Sequence, residues 1–283
     1  MAYDTTITAT QLLQLQAEAA PLVLVDCGFD LFDTTAGERA FVASHLPGAV
    51  YAHIDRDLSG PTTGRNGRHP LPDAAAFAAT VGRWGVRPGV QVVAYDDQGM
   101  SFAPRLWWLL RWLGHDAVAV LDGGRAAWSA AGGALSGEPP KAVTGAPYPG
   151  APGAMPTIDA ATLLARLDRV RVIDARAGER FRGEVEPLDP VAGHIPGAAQ
   201  RFHKDNVGPD GCFKPATELR EAFVALGANA PEVVLNCGSG VTASHNLLVM
   251  AHAGLGIATL YPGSWSEWCS DPTRPVEVGP SRR

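Results

Sequence analysis

A chain of 283 residues is long for one hydrophobic core and suits two domains. Hydrophobic residues make up 46% and charged residues 18%, which excludes a disordered chain. The net charge of −6 argues against a nucleic-acid partner but leaves room for a local arginine cluster that takes a small anion.

Thr8-Ala9-Thr10-Gln11 has the form of a capping box, ahead of a helix with Leu12, Leu13 and Leu15. Leu22-Val23-Leu24-Val25-Asp26 is a short apolar run and predicts a buried strand. His45-Leu46-Pro47-Gly48-Ala49 is a turn, and a polar loop over residues 59–68 ends in His69-Pro70-Leu71-Pro72. Residues 73–84 predict a helix, and Val90-Gln91-Val92-Val93-Ala94-Tyr95 a central strand. Residues 103–113 predict a strongly apolar, tryptophan-rich helix; Val118-Ala119-Val120-Leu121 is a further strand, with Asp122-Gly123-Gly124 as its turn. Residues 136–156 are dense in Pro, Gly and Ala with no period, and read as a linker between domains over 1–135 and 157–283.

After the linker the pattern starts again, roughly 150 residues on. Ile158 to Leu164 echoes Ile7 to Leu13, and Val172-Ile173-Asp174 echoes Leu24-Val25-Asp26. His194-Ile195-Pro196-Gly197-Ala198 repeats the His45 turn, and Gly263 and Trp268 repeat Gly123 and Trp128. This tandem duplication of alternating strands and helices predicts an α/β fold, each half a mainly parallel sheet with helices on both faces. A histidine kept in the same turn of both halves, His45 or His194, is read as structural.

The second half contains Val233-Val234-Leu235-Asn236-Cys237-Gly238-Ser239-Gly240-Val241-Thr242-Ala243. It reads as strand, tight loop and helix, with a thiol at the carboxyl end of the strand, where open parallel sheets bind ligands. Glycines let several loop N–H groups converge, and the helix dipole points at the same place. The loop therefore reads as a cradle for a nucleophilic sulfur that carries negative charge. Its first-half counterpart, Tyr95-Asp96-Asp97-Gln98-Gly99-Met100-Ser101, has no cysteine, so the first half is a degenerate copy. Cys27, Cys212 and Cys269 carry no motif, and the four cysteines show neither CxxC nor zinc spacing.

Cys237-Gly238-Ser239-Gly240-Val241-Thr242-Ala243 resembles the active-site loop of the two-domain rhodanese family, most closely the 3-mercaptopyruvate sulfurtransferases. The resemblance covers nearly the whole chain. It implies two tandem rhodanese-like domains with about five strands each, the second one catalytic. It implies a sulfane sulfur carried on Cys237 as a persulfide, with the N–H groups of Gly238, Gly240, Val241 and Thr242 lining the anion. Arg180, in Glu179-Arg180-Phe181, matches the family's substrate-binding arginine; Arg176 and Arg182 flank it. A second arginine often precedes an acidic residue in the mercaptopyruvate enzymes, and here that place holds Leu188, before Asp189. Ser239, His69 and Asp55 match a triad-like proton network.

The resulting expectation is a sulfurtransferase that moves sulfur from a small anionic donor, 3-mercaptopyruvate, to cyanide, a thiol or a thioredoxin-like protein. No metal or organic cofactor is implied. Alternatives are a thiosulfate-preferring enzyme, which typically carries basic loop side chains where this chain has Gly238 and Ser239, and a non-catalytic sulfur-binding module. A cysteine phosphatase needs an arginine six residues after the cysteine, where this chain has Ala243. The start Met1-Ala2-Tyr3-Asp4 lacks a signal-peptide pattern and no run approaches the roughly 20 apolar residues of a membrane helix, so a cytoplasmic protein with free thiols and no membrane partner is expected.

Overall fold

The computed structural model describes residues 2–140 and 145–281. The chain divides into two compact units, and neither follows the sequence boundary alone. Unit 1 comprises Met1–Ser59, Pro72–Ala154 and Val207–Phe213; unit 2 comprises Gly60–Leu71, Met155–Asn206 and Lys214–Arg283.

Unit 1 runs β1 (Thr6–Ile7), α1 (Ala9–Ala17), β2 (Leu22–Asp26), α2 (Ala36–Ala43), β3 (Val50–Tyr51), α3 (Ile54–Asp57), α4 (Ala74–Arg83), β4 (Gln91–Tyr95), α5 (Ala103–Trp112), β5 (Val118–Leu121) and α6 (Gly124–Ala130). Its five strands are all parallel, in the order β1-β5-β4-β2-β3. The Thr8 capping box is formed at α1 as the sequence predicts. The central strand β4 is buried at every position, and so is α5 from Ala103 to Leu110; their apolar residues need cover on every side, and the two polar ones are bonded, Arg105 to Leu58 O and Gln91 to Ala117 O.

Unit 2 runs α7 (Ala160–Leu164), β6 (Arg171–Asp174), α8 (Gly178–Phe181), β7 (Ala199–Gln200), a 3₁₀ turn (His203–Asn206), α9 (Ala216–Ala225), β8 (Val233–Asn236), α10 (Val241–His252), β9 (Thr259–Leu260) and α11 (Ser264–Trp268). Its sheet has four parallel strands, β7-β6-β8-β9, one fewer than the resemblance implies. The fifth place is reduced to a single bridge, Thr157 to Leu260. Pro156 precedes it and has no N–H with which to extend the ladder.

The duplication extends to side-chain contacts. His45 Nδ1 lies 2.7 Å from Phe41 O with its ring stacked on Phe41, and His194 Nδ1 lies 2.7 Å from Phe181 O with its ring stacked on Phe181. The indoles of Trp128 and Trp268 each donate to a nearby carbonyl, of Ala134 and Pro275. Both histidines thus serve packing. Of the stretch read as a linker, residues 141–144 lie outside the described residues. Tyr148 is buried in unit 1, its N–H on Ala78 O at 2.9 Å and its hydroxyl 3.2 Å from His115 Nδ1. Pro, Gly and Ala density here marks an irregular strap along the unit, because such a segment lacks a period whether it is packed or free.

Candidate active site

β8 ends at Asn236, paired with Asp174 of β6, and Cys237 is the next residue. The thiol is 1% exposed. The N–H groups of Ser239 and Gly240 donate to Cys237 Sγ at 3.4 and 3.1 Å. Gly240 caps α10 with φ +80°, and a Cβ there would stand 2.4 Å from Pro262 O, so only glycine closes this turn. Val241 and Thr242 open the first turn of α10, whose leading N–H groups have no acceptor within the helix. The floor of the loop is pinned by Ser264, in the left-handed region at φ +53°, whose Oγ accepts from Cys237 N at 3.1 Å. Two further N–H groups, of Trp265 and Ser266, donate to the carbonyls of Cys237 and Gly238.

The segment Gly60–Leu71 belongs to this unit, and it brings two side chains to the loop. His69, 5% exposed, has Nδ1 2.7 Å from Ser239 Oγ. Arg68 precedes it, its N–H donating to Ser266 Oγ at 3.0 Å. A Cβ built on Gly238 would lie 2.8 Å from an Nη of Arg68 and 3.5 and 3.6 Å from the two Nη atoms of Arg180. Two guanidinium groups therefore crowd the space over Gly238, one residue from the thiol. Both are held by buried acids. Arg180 pairs with Glu186 at 2.7 Å and with Asp189 at 3.4 Å, and Arg68 pairs with the other oxygen of Asp189.

Cys237, Ser239, His69, Gly238 and Gly240 meet at one loop, with Arg180 beside it. Arg176 is 3% exposed, tied to Asp174 and stacked over Trp265 at 4.9 Å, which makes it part of the interior. Arg182 is half exposed and pairs with Glu184 on the surface. Asp55 lies in unit 1, in the first turn of α3, its N–H on His53 Nδ1 at 3.1 Å. Arg68, Ser264, Glu186 and Asp189 were missed. Arg68 has one sequence signal, its place directly before the histidine of the His-Pro-Leu-Pro run. Among the described residues, no cluster of three or more His, Cys, Asp or Glu side chains is set to hold a metal ion.

Unit 1 has a matching loop with different contents. Tyr95 pairs with Asp26 as Asn236 pairs with Asp174, so Asp96 stands at the register position of Cys237. Its carboxylate, 2% exposed, accepts from the N–H groups of Gln98, Phe102 and Ala103 at 2.9, 2.8 and 2.7 Å. The cradle here is already filled by the side-chain carboxyl of the chain itself.

A family model for the rhodanese-like domain matches residues 8–131 and again residues 159–271. The chain belongs to the rhodanese family. A Pseudomonas aeruginosa protein named as a probable 3-mercaptopyruvate sulfurtransferase is 51% identical over 280 residues, covering 96% of this chain and 98% of its own. A Mycobacterium tuberculosis protein provisionally named as the thiosulfate sulfurtransferase SseB is 40% identical, with 96% of each chain covered. Among solved structures, the 3-mercaptopyruvate sulfurtransferase from Leishmania major superposes with a TM-score of 0.82 at 28% identity, covering 94% of this chain and 74% of that one. The shared fold is thus two rhodanese-like domains built on mainly parallel sheets, and the named relatives are sulfurtransferases. No helix among the described residues is long and apolar enough to cross a membrane.

Proposed function

We propose that this rhodanese is a sulfurtransferase whose donor is 3-mercaptopyruvate and whose sulfur carrier is Cys237. In the first step the Cys237 thiolate attacks the donor sulfur. An S–S bond forms, the C–S bond breaks, and its electron pair leaves as the enolate of pyruvate, which takes up a proton. In the second step a thiophilic acceptor (cyanide, a thiol, or a thioredoxin-like protein) attacks the outer sulfur and releases the Cys237 thiolate. The first half of the chain, with no cysteine in its loop, is the non-catalytic copy. The four cysteines are free thiols, in keeping with work in the cytoplasm.

One observation carries the reading: a thiol that receives two loop N–H groups, with a histidine on the serine two residues after it. The N–H groups suit a sulfur that stays anionic as thiolate and as persulfide. Ser239 with His69 suits delivery of a proton to a departing enolate, and Asp55 is the carboxylate we assign to orient the imidazole. Gly238, Gly240, Val241 and Thr242 line the sulfur through their backbone. Arg180 grips the donor's carboxylate, and Arg68 supplies the second guanidinium that the family resemblance looks for at Leu188.

Thiosulfate is the second reading, favoured by the same Arg68, whose charge lies near the loop despite the neutral Gly238-Ser239 pair. Comparison of kcat/KM for the two donors decides. A higher value for 3-mercaptopyruvate, and a mass gain of one sulfur atom on Cys237 after donor treatment, are expected. A higher value for thiosulfate would replace the donor assignment, and sulfur transfer persisting in Cys237→Ser would remove the carrier.

A further inference from the structure

Asp189 joins the two guanidinium groups at the loop. One of its oxygens meets Arg68 and the other lies 3.4 Å from Arg180, and its side chain is 3% exposed. Glu186, equally buried, holds Arg180 at 2.7 Å. Both arginines reach the space over Gly238 with their remaining Nη atoms. The anion-binding face next to the thiol is therefore backed by two carboxylates. Glu186 also lies 3.5 Å from Arg176, which Asp174 neutralises, so three arginines and three carboxylates leave the cluster with no net charge, in front of a sulfur that is itself an anion when it reacts.

We propose that Asp189 is a specificity-determining residue: by offsetting one charge of the Arg68–Arg180 pair from behind, it tunes the site to a monoanionic donor and against a compact dianion. The inference rests on the sulfurtransferase reading given above. Its physical basis is that each added unit of charge on the donor is attracted or repelled by the net charge of the cluster. A monoanion feels that net charge once and a dianion twice. 3-Mercaptopyruvate has one carboxylate and a carbon skeleton that adds contacts of its own. Thiosulfate has two charges on a compact body and depends more on positive charge beside the sulfur. Asp189 acts through the arginines and does not touch the reacting atoms, so it is a positioning residue whose charge also matters.

The test uses the full-length enzyme. Asp189→Asn keeps the volume and one accepting oxygen but adds one unit of net positive charge. The ratio of kcat/KM for thiosulfate to that for 3-mercaptopyruvate should rise on the order of tenfold, the scale of one unit charge at close range in a partly screened site. The change should sit in KM, and 0.5 M salt should shrink it. Glu186→Gln makes the same change of net charge, through Arg180 at 2.7 Å and Arg176 at 3.5 Å, and should move the ratio the same way, so the idea stays testable should Asp189→Asn fold poorly. Equal losses for both donors would mean that Asp189 only positions the arginines and would overturn the proposal, as would an unchanged ratio in both folded variants. Arg180→Ala separates the two levels of inference. If it weakens both donors while the acid variants leave the ratio alone, only the role of Asp189 fails; if it weakens neither, the donor site itself is misplaced.

Discussion

Ser239 Oγ and His69 Nδ1 lie 2.7 Å apart, both nearly buried, in a position to share one proton. General acid–base help of this kind is typically worth about 10²–10⁴-fold. Ser239→Ala and His69→Ala should therefore depress the 3-mercaptopyruvate reaction by at least the lower figure. The thiosulfate reaction, whose sulfite leaving group needs no such proton, should fall far less; steady-state kinetics with both donors checks this. Truncating a guanidinium that makes charge-assisted contacts should cost roughly 2–3 kcal/mol, about thirtyfold or more in kcat/KM. Arg180→Ala and Arg68→Ala are both expected to show it, and an unchanged value in a folded Arg68→Ala protein would limit that residue to its ion pair with Asp189. The placing of Cys237 and Ser239 together is legible because a strand running into a glycine loop fixes where its end residues stand; Arg180 is singled out from Arg176 and Arg182 only by the family resemblance. Arg68 is harder to read, since its contact with the loop depends on a segment from the other half of the chain, and its one local signal is its place directly before His69.

The two strand–loop–helix elements are a matched pair. In one, two N–H groups converge on a thiol; in the other, three converge on the Asp96 carboxylate. The backbone solution is retained and its anion is now part of the chain. Asp96→Ala would leave three buried donors without their acceptor, which should destabilise unit 1 on the order of 3 kcal/mol, and Asp96→Asn by less. Denaturant unfolding of both variants measures this, and turnover at Cys237 should be unaffected where the protein is folded. At this scale the sequence reported element order well, because apolar runs such as Leu22 to Asp26 and Val233 to Asn236 are unambiguous. It was blind where the outcome depends on single backbone groups, as at Pro156, and where packed and free segments share a composition, as at Tyr148.

At the scale of the whole molecule, two buried groups, Asp26 in unit 1 and His203 in unit 2, respond to acid in opposite senses. Burial raises the Asp26 carboxyl in unit 1 from 3.8 to about 6. Its folded state holds the proton more tightly than its unfolded state, so its contribution is full below about pH 4 and is lost as pH rises through about 6. In unit 2, burial lowers His203 from 6.5 to about 4. Its contribution is full above about pH 6.5 and is lost as pH falls through about 4. Each shift corresponds to on the order of 3 kcal/mol. As pH falls from 6.5 to 4, amide exchange should show β2, which carries Asp26, gaining protection as β6, beside His203, loses it. Asp26→Asn should flatten the first trend and His203→Gln the second; parallel trends in the unmodified protein would contradict this. The assignment of Gly60–Leu71 to unit 2 has a genetic consequence. A gene cut at the repeat boundary encodes a second half that keeps Cys237 and Ser239 but has lost Arg68 and His69. A fragment of residues 155–283 should therefore be inactive with 3-mercaptopyruvate even where it folds, and activity in it would show that the borrowed segment is dispensable. An inactive fragment would mean that the second copy cannot be deleted from, or recombined away from, the first and still work, so that the borrowed segment ties the two copies into one unit of inheritance.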